Sequence, residues 1–388
     1  MTRQPDEKKM SSAEIVAKLS EGIGIERPMR QFYDEASKDA IRHYAEGFGD
    51  DNPLWQDEEY ASKTRWGRII APPLFPQTLQ GGPVGRIERP KTGSLHFLRP
   101  LDGGTEFTFF QPVYVGDKMT GMYGMAEVLC KESREGGENI FSIEEHKCIN
   151  QNNEIACKWR KTFIARWPPP IGGKIGRNMS KYEGYSKPRY SQEELQVIEQ
   201  DIEKEELRGA QPRFWEDVNV GDNLTPLVKG PLTLTDMVTF SMGYGGPFMM
   251  ANEIAYKFMR RHPKAATYDA KTNVPELDER WHFDDAFAIQ KGMPSAYDLG
   301  PQRMAWMAQV VTNWMSDEGF MRKFSVRLRR LNFLGDTAWC KGQVIEKYVQ
   351  DNKHLVKIDL WGVNQRDEKL VEAWSEVQLP TRKKEGGA

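Results

Sequence analysis

The residues of this chain whose side chains suit proton transfer lie in two short segments. The first, residues 48–61, contains a carboxylate, Asp50, two positions before Asn52. The second begins at His282 and extends to another carboxylate, Asp298. Carboxylate and imidazole groups act as general acids and bases when they are held beside a reacting carbon. Both segments are therefore candidates for an acid–base site.

The elements around these segments occur twice along the chain. Val115–Asp117 and Leu334–Asp336 both end in Gly-Asp, and strand-like stretches follow them at Met119–Val128 and Thr337–Ile345. The copies are roughly 215 to 220 residues apart, and one long repeat of this kind indicates a duplicated domain, not a solenoid.

Each copy has the same predicted order of elements. A short helix comes first, at Asp39–Glu46 and at Leu234–Met242, where Thr233 or Thr235 can cap the second one. A loop, a longer helix and several strands follow. The longer helix is clearest at Tyr297–Met315, where apolar residues recur at three- and four-residue spacing. The strands predicted after it are Phe324–Phe333, Thr337–Glu346, His354–Gly362 and Leu370–Leu379. This order argues for the α+β class, with an antiparallel sheet wrapped around one buried helix.

These elements divide the chain into five parts. The first copy ends where consecutive prolines follow Trp167, because proline cannot continue a central strand. A capping-box pattern at Ser191–Glu194 begins a charged helix that runs to about Leu207. We predict a lead-in (1–29), a first domain (30–167), a linker with a charged helix (168–212), a second domain (213–380) and a tail (381–388).

Composition and charge exclude several classes of partner. The 388 residues allow two domains, and 54 Lys and Arg against 56 Asp and Glu give a net charge of −2 without a basic footprint for nucleic acid. Four cysteines without metal-binding spacing fit a reducing compartment. No apolar run reaches the length of a membrane span, and the polar N-terminal segment is unlike a signal peptide. We expect a cytoplasmic protein that binds neither nucleic acid nor membrane.

The first segment is part of a longer pattern. Residues 48–61 contain Gly-Asp-Asp-Asn-Pro-Leu-Trp-Gln-Asp and then Tyr-Ala, and residues 67–73 read Gly-Arg-Ile-Ile-Ala-Pro-Pro. This resembles the hydratase motif of the MaoC-like, (R)-specific enoyl-CoA hydratase family, which runs Gly-Asp-x-Asn-Pro-(Leu/Ile)-His-x-Asp, Tyr-Ala and Gly-x-Pro-Ile-Ala-His-Gly. Together with the repeat, the resemblance covers nearly all of residues 30–380. The family members that this chain resembles carry two hotdog domains per chain.

The resemblance implies both a fold and a chemistry. Each half would be a hotdog, an antiparallel sheet wrapped around a central helix, and the chain a double hotdog. In the family, an Asp and a His activate a water that adds to a 2-enoyl-CoA, and a backbone N–H at the start of the central helix supports the enolate oxygen. CoA is part of the substrate and no metal or redox cofactor is implied. Hotdogs commonly pair, so a homodimer or larger homo-oligomer is expected.

The first half departs from the family pattern at two positions. Trp55 stands at the His position, and an indole N–H cannot act as a base. Pro73 stands at the oxyanion-hole position and has no N–H. Asp50 is either a remaining catalytic acid or a cap for the following turn, and Asn52 is a candidate substrate contact. We predict a non-catalytic first half whose groove holds the acyl or CoA part of the substrate.

The second half retains the downstream part of the motif. Tyr244 replaces the catalytic Asp in the counterpart of the Gly-Asp-x-Asn-Pro segment, whereas His282 falls at the family's His position. Gly292–Asp298 matches the segment that begins the central helix. This alignment makes Asp298 the oxyanion-hole residue through its backbone N–H and places Tyr297 at the family's second His.

Several residues are candidates to assist His282. An acidic partner is expected first at Asp278 and then at Asp298 or Asp50, and Glu276 is a further candidate. The candidate substrate contacts are Asn52, Tyr244, Tyr297, Arg65, Arg68, Arg260 and Arg261. Arginine suits phosphate recognition, so the basic residues of the insertion at 250–281 either clamp the CoA phosphates or form a solvated helix.

The activity predicted from these residues is reversible addition of water to a 2-enoyl-CoA, giving a 3-hydroxyacyl-CoA. Two alternatives stay open, because a fold does not settle function. One is a thioesterase that uses a carboxylate such as Asp298, and the other is a non-catalytic acyl-CoA-binding subunit. The first half's central helix is short, Leu74–Gln80 before Gly-Gly-Pro. By analogy we expect a bulky or long acyl chain, as in fatty-acid, steroid or aromatic catabolism.

Overall fold

The computed structural model describes residues 10–29, 31–80, 101–133, 136–168, 182–246 and 249–382, apart from the side chains of three of them. The three are Leu101, Lys264 and Asp278. The Gly-Gly-Pro stretch after Gln80 and most of the tail lie outside these ranges.

Strands dominate each half after a helical beginning. Their bounds are β1 Arg27–Pro28, β2 Leu101–Phe109, β3 Thr120–Glu132, β4 Glu138–Ile149, β5 Ile155–Trp167, β6 Leu227–Lys229, β7 Ala266–Tyr268, β8 Pro275–Leu277, β9 Phe320–Leu328, β10 Ala338–Gln350, β11 Lys353–Asn364 and β12 Lys369–Gln378. Ten of them form one sheet in the order β1-β3-β4-β5-β2-β9-β12-β11-β10-β6, and β7 pairs with β8.

The helices pack against the sheet or lie in the connections between strands. Their bounds are α1 Ser12–Ser20, α2 Lys38–Gly47, α3 Glu58–Ser62, α4 Gln192–Glu203, α5 Leu234–Tyr244, α6 Asn252–Arg261, α7 Asp285–Gln290 and α8 Gly300–Met315. The cap predictions are confirmed, because Thr233 and Ser191 each accept a hydrogen bond from the third residue of their helix. The linker helix α4 ends at Glu203, earlier than the Leu207 expected from its sequence.

The two halves join edge to edge through β2 and β9. The antiparallel register pairs Phe107 with Phe324, both rings are buried, and their centroids are 6.2 Å apart. The two predicted sheets are therefore continuous. The strand predicted at Phe324–Phe333 is shifted toward the N-terminus, because the chain leaves the sheet after Leu328 and Phe333 bridges to Tyr297 instead.

The central helix of the second half is α8. Its residues from Gln302 to Thr312 are all buried against the sheet. The helix begins at Gly300 instead of the predicted Tyr297, because Tyr297 bridges to Phe333 and Leu299 is extended. The equivalent stretch of the first half, Phe75–Gln80, is a 3₁₀ helix. The predicted end of this element at Gly-Gly-Pro lies outside the described residues.

The short helices α2 and α5 pack against each other across the centre of the molecule, and glycines allow their close approach. A Cβ on Gly243 would lie 2.2 Å from the carbonyl oxygen of His43, and one on Gly47 would lie 3.2 Å from the Cα of Phe240. Contacts of backbone on backbone cannot relax by turning a side chain. The sequence therefore sets the spacing of the two halves at these glycines.

We expect Gly243→Ala to separate α2 from α5 and to destabilise the fold by about 1–3 kcal/mol, the usual range for overpacking. Gly47→Ala is the matched control, since its new methyl group has about 1 Å more room at the same interface. Urea unfolding of both variants measures the difference. Equal stability of the two variants would contradict this account of the interface.

Candidate active site

Hydrogen bonds that recur in both halves identify equivalent residues of the two segments. The N–H of Ala71 donates to the carbonyl of Val113 over 2.8 Å, and the N–H of Asp298 donates to the carbonyl of Asn332 over 2.9 Å. Both acceptors lie three residues before a Gly-Asp pair. Asp298 is therefore the counterpart of Ala71. The prediction that the Asp298 amide is available to an enolate is wrong, because Asn332 takes that N–H.

The error arises from a difference in loop length. Gly67 and Gly292 both have a positive φ angle, and the next residues that form a β-bridge are Ile70 and Tyr297. The stretch from the glycine to the bridging residue is two residues longer in the second half (292–297) than in the first (67–70). With this correction the counterpart of Pro73 is Gly300, the first residue of α8. Gly300 has a backbone N–H where Pro73 has none. The amide suited to an oxyanion at this helix start is therefore that of Gly300.

The same comparison locates the counterpart of the motif carboxylate. The N–H of Asp50 donates to the carbonyl of Ala45 over 3.0 Å, and the N–H of Gly246 donates to the carbonyl of Ser241 over 2.7 Å. Both bonds reach back five residues at the end of a short helix. Gly246 thus replaces the carboxylate in the second half, and the interpretation of Tyr244 as its replacement is wrong. Tyr244 is instead the last residue of α5.

In the first half the motif carboxylate is held by its own segment. Oδ1 of Asp50 accepts from the N–H of Asn52 over 3.1 Å, and Oδ2 accepts from Nε1–H of Trp55 over 3.0 Å. Oδ1 of Asn52 accepts from the N–H of Leu54. All these side chains are buried, and burial raises the pKa of Asp50 to about 6. The hydrogen bonds support the capping alternative for Asp50.

Replacing Asp50 with Asn should change how stability depends on pH. A carboxyl with a folded pKa near 6 and an ordinary unfolded pKa keeps its proton longer in the folded state. It therefore destabilises the fold as pH rises from 4 to 7. Relative to the wild type, Asp50→Asn should gain roughly 3 kcal/mol of stability across that window. Urea unfolding at several pH values measures this, with the exposed neighbour Asp51→Asn as control; parallel pH profiles for Asp50→Asn and wild type would contradict it.

Both halves build an apolar pocket next to this first segment. It encloses about 580 Å³ including its open mouth, and its walls include Trp55, Pro73, Phe109, Met315, Asp317 and Phe320. Asp317 is buried and accepts a 2.5 Å hydrogen bond from the hydroxyl of Tyr60. Burial raises the pKa of Asp317. The pocket suits an uncharged, largely apolar group.

His282 is the last residue of the 3₁₀ helix Asp278–His282 and is half-buried. Its Nδ1 lies 2.7 Å from the carbonyl oxygen of Tyr297, and the Tyr297 ring packs edge-on against it with centroids 4.6 Å apart. A carbonyl oxygen only accepts hydrogen bonds, so Nδ1 carries the proton and Nε2 is the basic nitrogen of the neutral ring. The structure thereby fixes the tautomer that a general base requires.

Asp298 is held in a buried ion pair. Both of its oxygens accept from Arg303, over 2.7 Å from Nε and 2.8 Å from Nη2. Arg303 also donates to the carbonyls of Arg330 and Leu370, and the two paired side chains are almost fully buried. Both oxygens of Asp298 are occupied by Arg303, and these contacts support a structural role for this carboxylate. A catalytic role for the Asp298 carboxylate stays a prediction.

The remaining candidate acidic partners of His282 either pair with Arg280 or have a side chain that the structure does not describe. The backbone of Asp278 begins the 3₁₀ helix, and its side chain is not described. Glu276 and Asp284 face Arg280 at 3.9 Å and 2.8 Å, and Asp284 also caps α7.

Of the two arginines predicted as substrate contacts in the first half, Arg65 reaches the second half and Arg68 stays within the first. The guanidinium of Arg65 donates to the carbonyl of Glu318 over 2.6 Å and lies 4.2 Å from the ring centre of Trp66. Arg68 lies 4.2 Å from the ring centre of Tyr114. Arg65 therefore ties the first half to the second.

The two arginines of the insertion lie on the exposed face of α6. Arg260 donates to the hydroxyl of Tyr256 over 3.3 Å, and Arg261 donates to the carbonyl of Lys257 over 3.2 Å. These contacts are local to the helix, as the solvated-helix alternative expects. A role in binding CoA phosphates stays a prediction.

Sequence reasoning missed Glu279, which lies three residues before His282. Its side chain is partly buried, and burial raises its pKa to about 7. Its charge interacts with Tyr244 of the distant helix α5. The family pattern has no acidic residue at this spacing, so the motif could not point to it. The only available signal was its three-residue distance from His282.

The described helices include none with the length and apolar character needed to cross a membrane. Residues 23–158 match the family described as FAS1-like, dehydratase domain region. Among sequence relatives, a UPF0336 protein of Streptomyces coelicolor is 36% identical over 133 residues, which cover 34% of this chain and 85% of that protein. The match to the UPF0336 protein of Streptomyces avermitilis covers only 57% of that protein.

A more distant relative is a probable enoyl-CoA hydratase alpha subunit of Thermomonospora curvata. It is 26% identical over 145 residues, which cover 34% of this chain and 46% of that protein. Among solved structures, one described as a MaoC-like dehydratase has a TM-score of 0.63 at 15% identity and covers 94% of this chain and 99% of its own. A Mycobacterium tuberculosis protein described as having a double hotdog fold has a TM-score of 0.53 at 10% identity, over 92% and 96% of the two chains. The predicted double hotdog is confirmed.

Proposed function

The chain belongs to the MaoC-like dehydratase family of double-hotdog proteins, and we propose that it adds water to, or removes water from, the C2–C3 bond of an acyl-CoA thioester. The observation that carries the proposal is the 2.7 Å contact from Nδ1 of His282 to the carbonyl of Tyr297. It fixes the tautomer in which Nε2 is basic. The name of the Thermomonospora curvata relative supports an enoyl-CoA as substrate.

In the hydration direction, His282 removes a proton from a water while the water oxygen bonds to C3. The C2=C3 electron pair then moves toward the thioester carbonyl, which becomes an enolate. The N–H of Gly300, at the positive end of α8, is the group suited to this negative oxygen. A proton delivered to C2 completes the 3-hydroxyacyl-CoA. With Gly300 instead of Asp298 as the proposed oxyanion-hole residue, this chain has a glycine where the family pattern also has one.

The proposed substrate path uses both halves. The apolar pocket between Trp55 and Phe320 has room for an uncharged part of a substrate, which agrees with a non-catalytic first half. A bulky or long acyl chain remains our expectation for the substrate.

A non-catalytic acyl-CoA-binding subunit is the second candidate function. It is favoured by Gly246, which stands where the family motif has its catalytic carboxylate. A thioesterase that uses Asp298 has no such support, because Arg303 occupies both oxygens of that carboxylate.

The experiment that separates these functions uses the purified chain with a panel of 2-enoyl-CoAs from short to long acyl groups. Loss of the enoyl-thioester absorbance without release of free thiol supports hydration. Thiol release would identify a thioesterase. Binding of the panel without any turnover would favour the binding subunit.

A further inference from the structure

The second half contains the motif histidine but not the motif carboxylate, since Gly246 stands at that position. Hydration needs two proton transfers, one from water and one to C2. The neighbouring carboxylates are committed elsewhere: Asp298 is paired with Arg303, and Asp284 is paired with Arg280. Among the described side chains of the second half's motif, no carboxylate is left without a cationic partner, so the candidates for a second proton-transfer group lie outside the motif.

Glu279 is on the same short helix as His282. The 3₁₀ helix Asp278–His282 includes both residues. A 3₁₀ helix has three residues per turn, so side chains at i and i+3 project from the same side, roughly 6 Å apart along the axis. The spacing of Glu279 and His282 therefore predicts side chains that project from the same side of this helix, one turn apart. Arg280, between them, projects elsewhere and contacts Asp269 and Asp284.

The surroundings of Glu279 keep a large fraction of its carboxyl protonated up to neutral pH. Burial is the cause of its raised pKa of about 7. Its charge interacts with the buried Tyr244 of α5. Beyond Tyr244 lie Lys161 of β5 and Asp102 of β2, which form a 3.2 Å ion pair with each other. Among the described side chains, the charged groups on this side of Glu279 are therefore Lys161 and Asp102, and they neutralise each other.

Resting on the proposed function, we propose that Glu279 is the second acid–base residue of the site, acting opposite His282 in place of the motif carboxylate. In hydration, the Glu279 carboxylic acid gives its proton to C2 as the enolate electron pair forms the new C–H bond. His282 meanwhile accepts the proton of the water whose oxygen bonds to C3. The step leaves an imidazolium and a carboxylate, and transfer of one proton from His282 to Glu279 restores the starting state.

The test is Glu279→Gln, which keeps the size and polarity of the protonated acid but has no transferable carboxyl proton. We expect kcat for hydration to fall by 10²- to 10⁴-fold, the usual contribution of a general acid, with KM nearly unchanged. The unfolding midpoint at pH 7 should be at least as high as in the wild type, because the variant loses a buried carboxyl with a raised pKa. Glu199→Gln is the control for the same substitution, because Glu199 is an exposed residue of the linker helix α4. It should retain wild-type activity.

The pH profile adds a readout that a structural role would not move. Since Glu279 must be protonated for hydration, wild-type kcat/KM should fall as pH rises through about 7, and Glu279→Gln should lose this fall. If Glu279→Gln has the wild-type rate and pH profile while His282→Ala is inactive, the role of Glu279 is overturned and the proposed hydratase function stands. A wild-type chain that hydrates no member of the enoyl-CoA panel would overturn both proposals.

Discussion

His282→Ala is expected to lower kcat for hydration by about 10²- to 10⁴-fold, because it removes the nitrogen that takes the proton from water. The fold should persist, since the ring is half-buried and its described hydrogen bond is to the carbonyl of Tyr297. The measurement is the initial rate of enoyl-thioester loss for wild type and variant under saturating substrate.

Two further variants make this result specific. His282→Asn keeps an N–H that can donate to the carbonyl of Tyr297 but has no basic nitrogen. A structural role would be partly restored by Asn, whereas a catalytic role would not. His43→Ala, on the exposed face of α2, should leave the rate unchanged. Activity of His282→Ala comparable to that of His43→Ala would rule out His282 as the base.

Arg303→Met is expected to destabilise the protein by about 3–5 kcal/mol, because it leaves the Asp298 carboxylate buried without its partner. The two side chains are only 2% and 0% exposed. The change also removes the donor to the carbonyls of Arg330 and Leu370. Urea unfolding measures the effect. Arg329→Met is the control, since Arg329 pairs with Glu372 in a partly exposed ion pair, which is worth at most about 1 kcal/mol.

A double variant separates the ion pair from simple packing. Asp298→Leu combined with Arg303→Met removes both charges, and replacing a buried ion pair with apolar side chains is often close to neutral. We expect the double variant to be more stable than Arg303→Met alone. If the two single losses simply add in the double variant, Asp298 is not held by Arg303 as described.

Much of the architecture could be predicted because it depends on local patterns. The Gly-Asp repeat located the two halves, and the capping residues Thr233 and Ser191 located helix starts. The apolar spacing of α8 identified the helix that the sheet surrounds. These signals survive in a single sequence because each depends on residues a few positions apart.

The candidate site was predicted less completely because its alignment depends on loop length. Two extra residues after Gly292 displace Asp298 from the start of α8, and only the hydrogen bond from its amide to Asn332 reveals this. Likewise, the raised pKa of Glu279 is caused by its burial in the folded chain. Spacing alone cannot show that a carboxyl group is buried.

The central claim is that this chain alone forms a C3–O bond with water in a 2-enoyl-CoA. The most direct measurement is incubation of the purified chain with enoyl-CoAs in water labelled with heavy oxygen, followed by mass spectrometry of the products. We predict a 3-hydroxyacyl-CoA that carries the label on its hydroxyl and an intact thioester. Label found only in a free carboxylate, or enoyl-CoA that is bound but unlabelled, would contradict the claim.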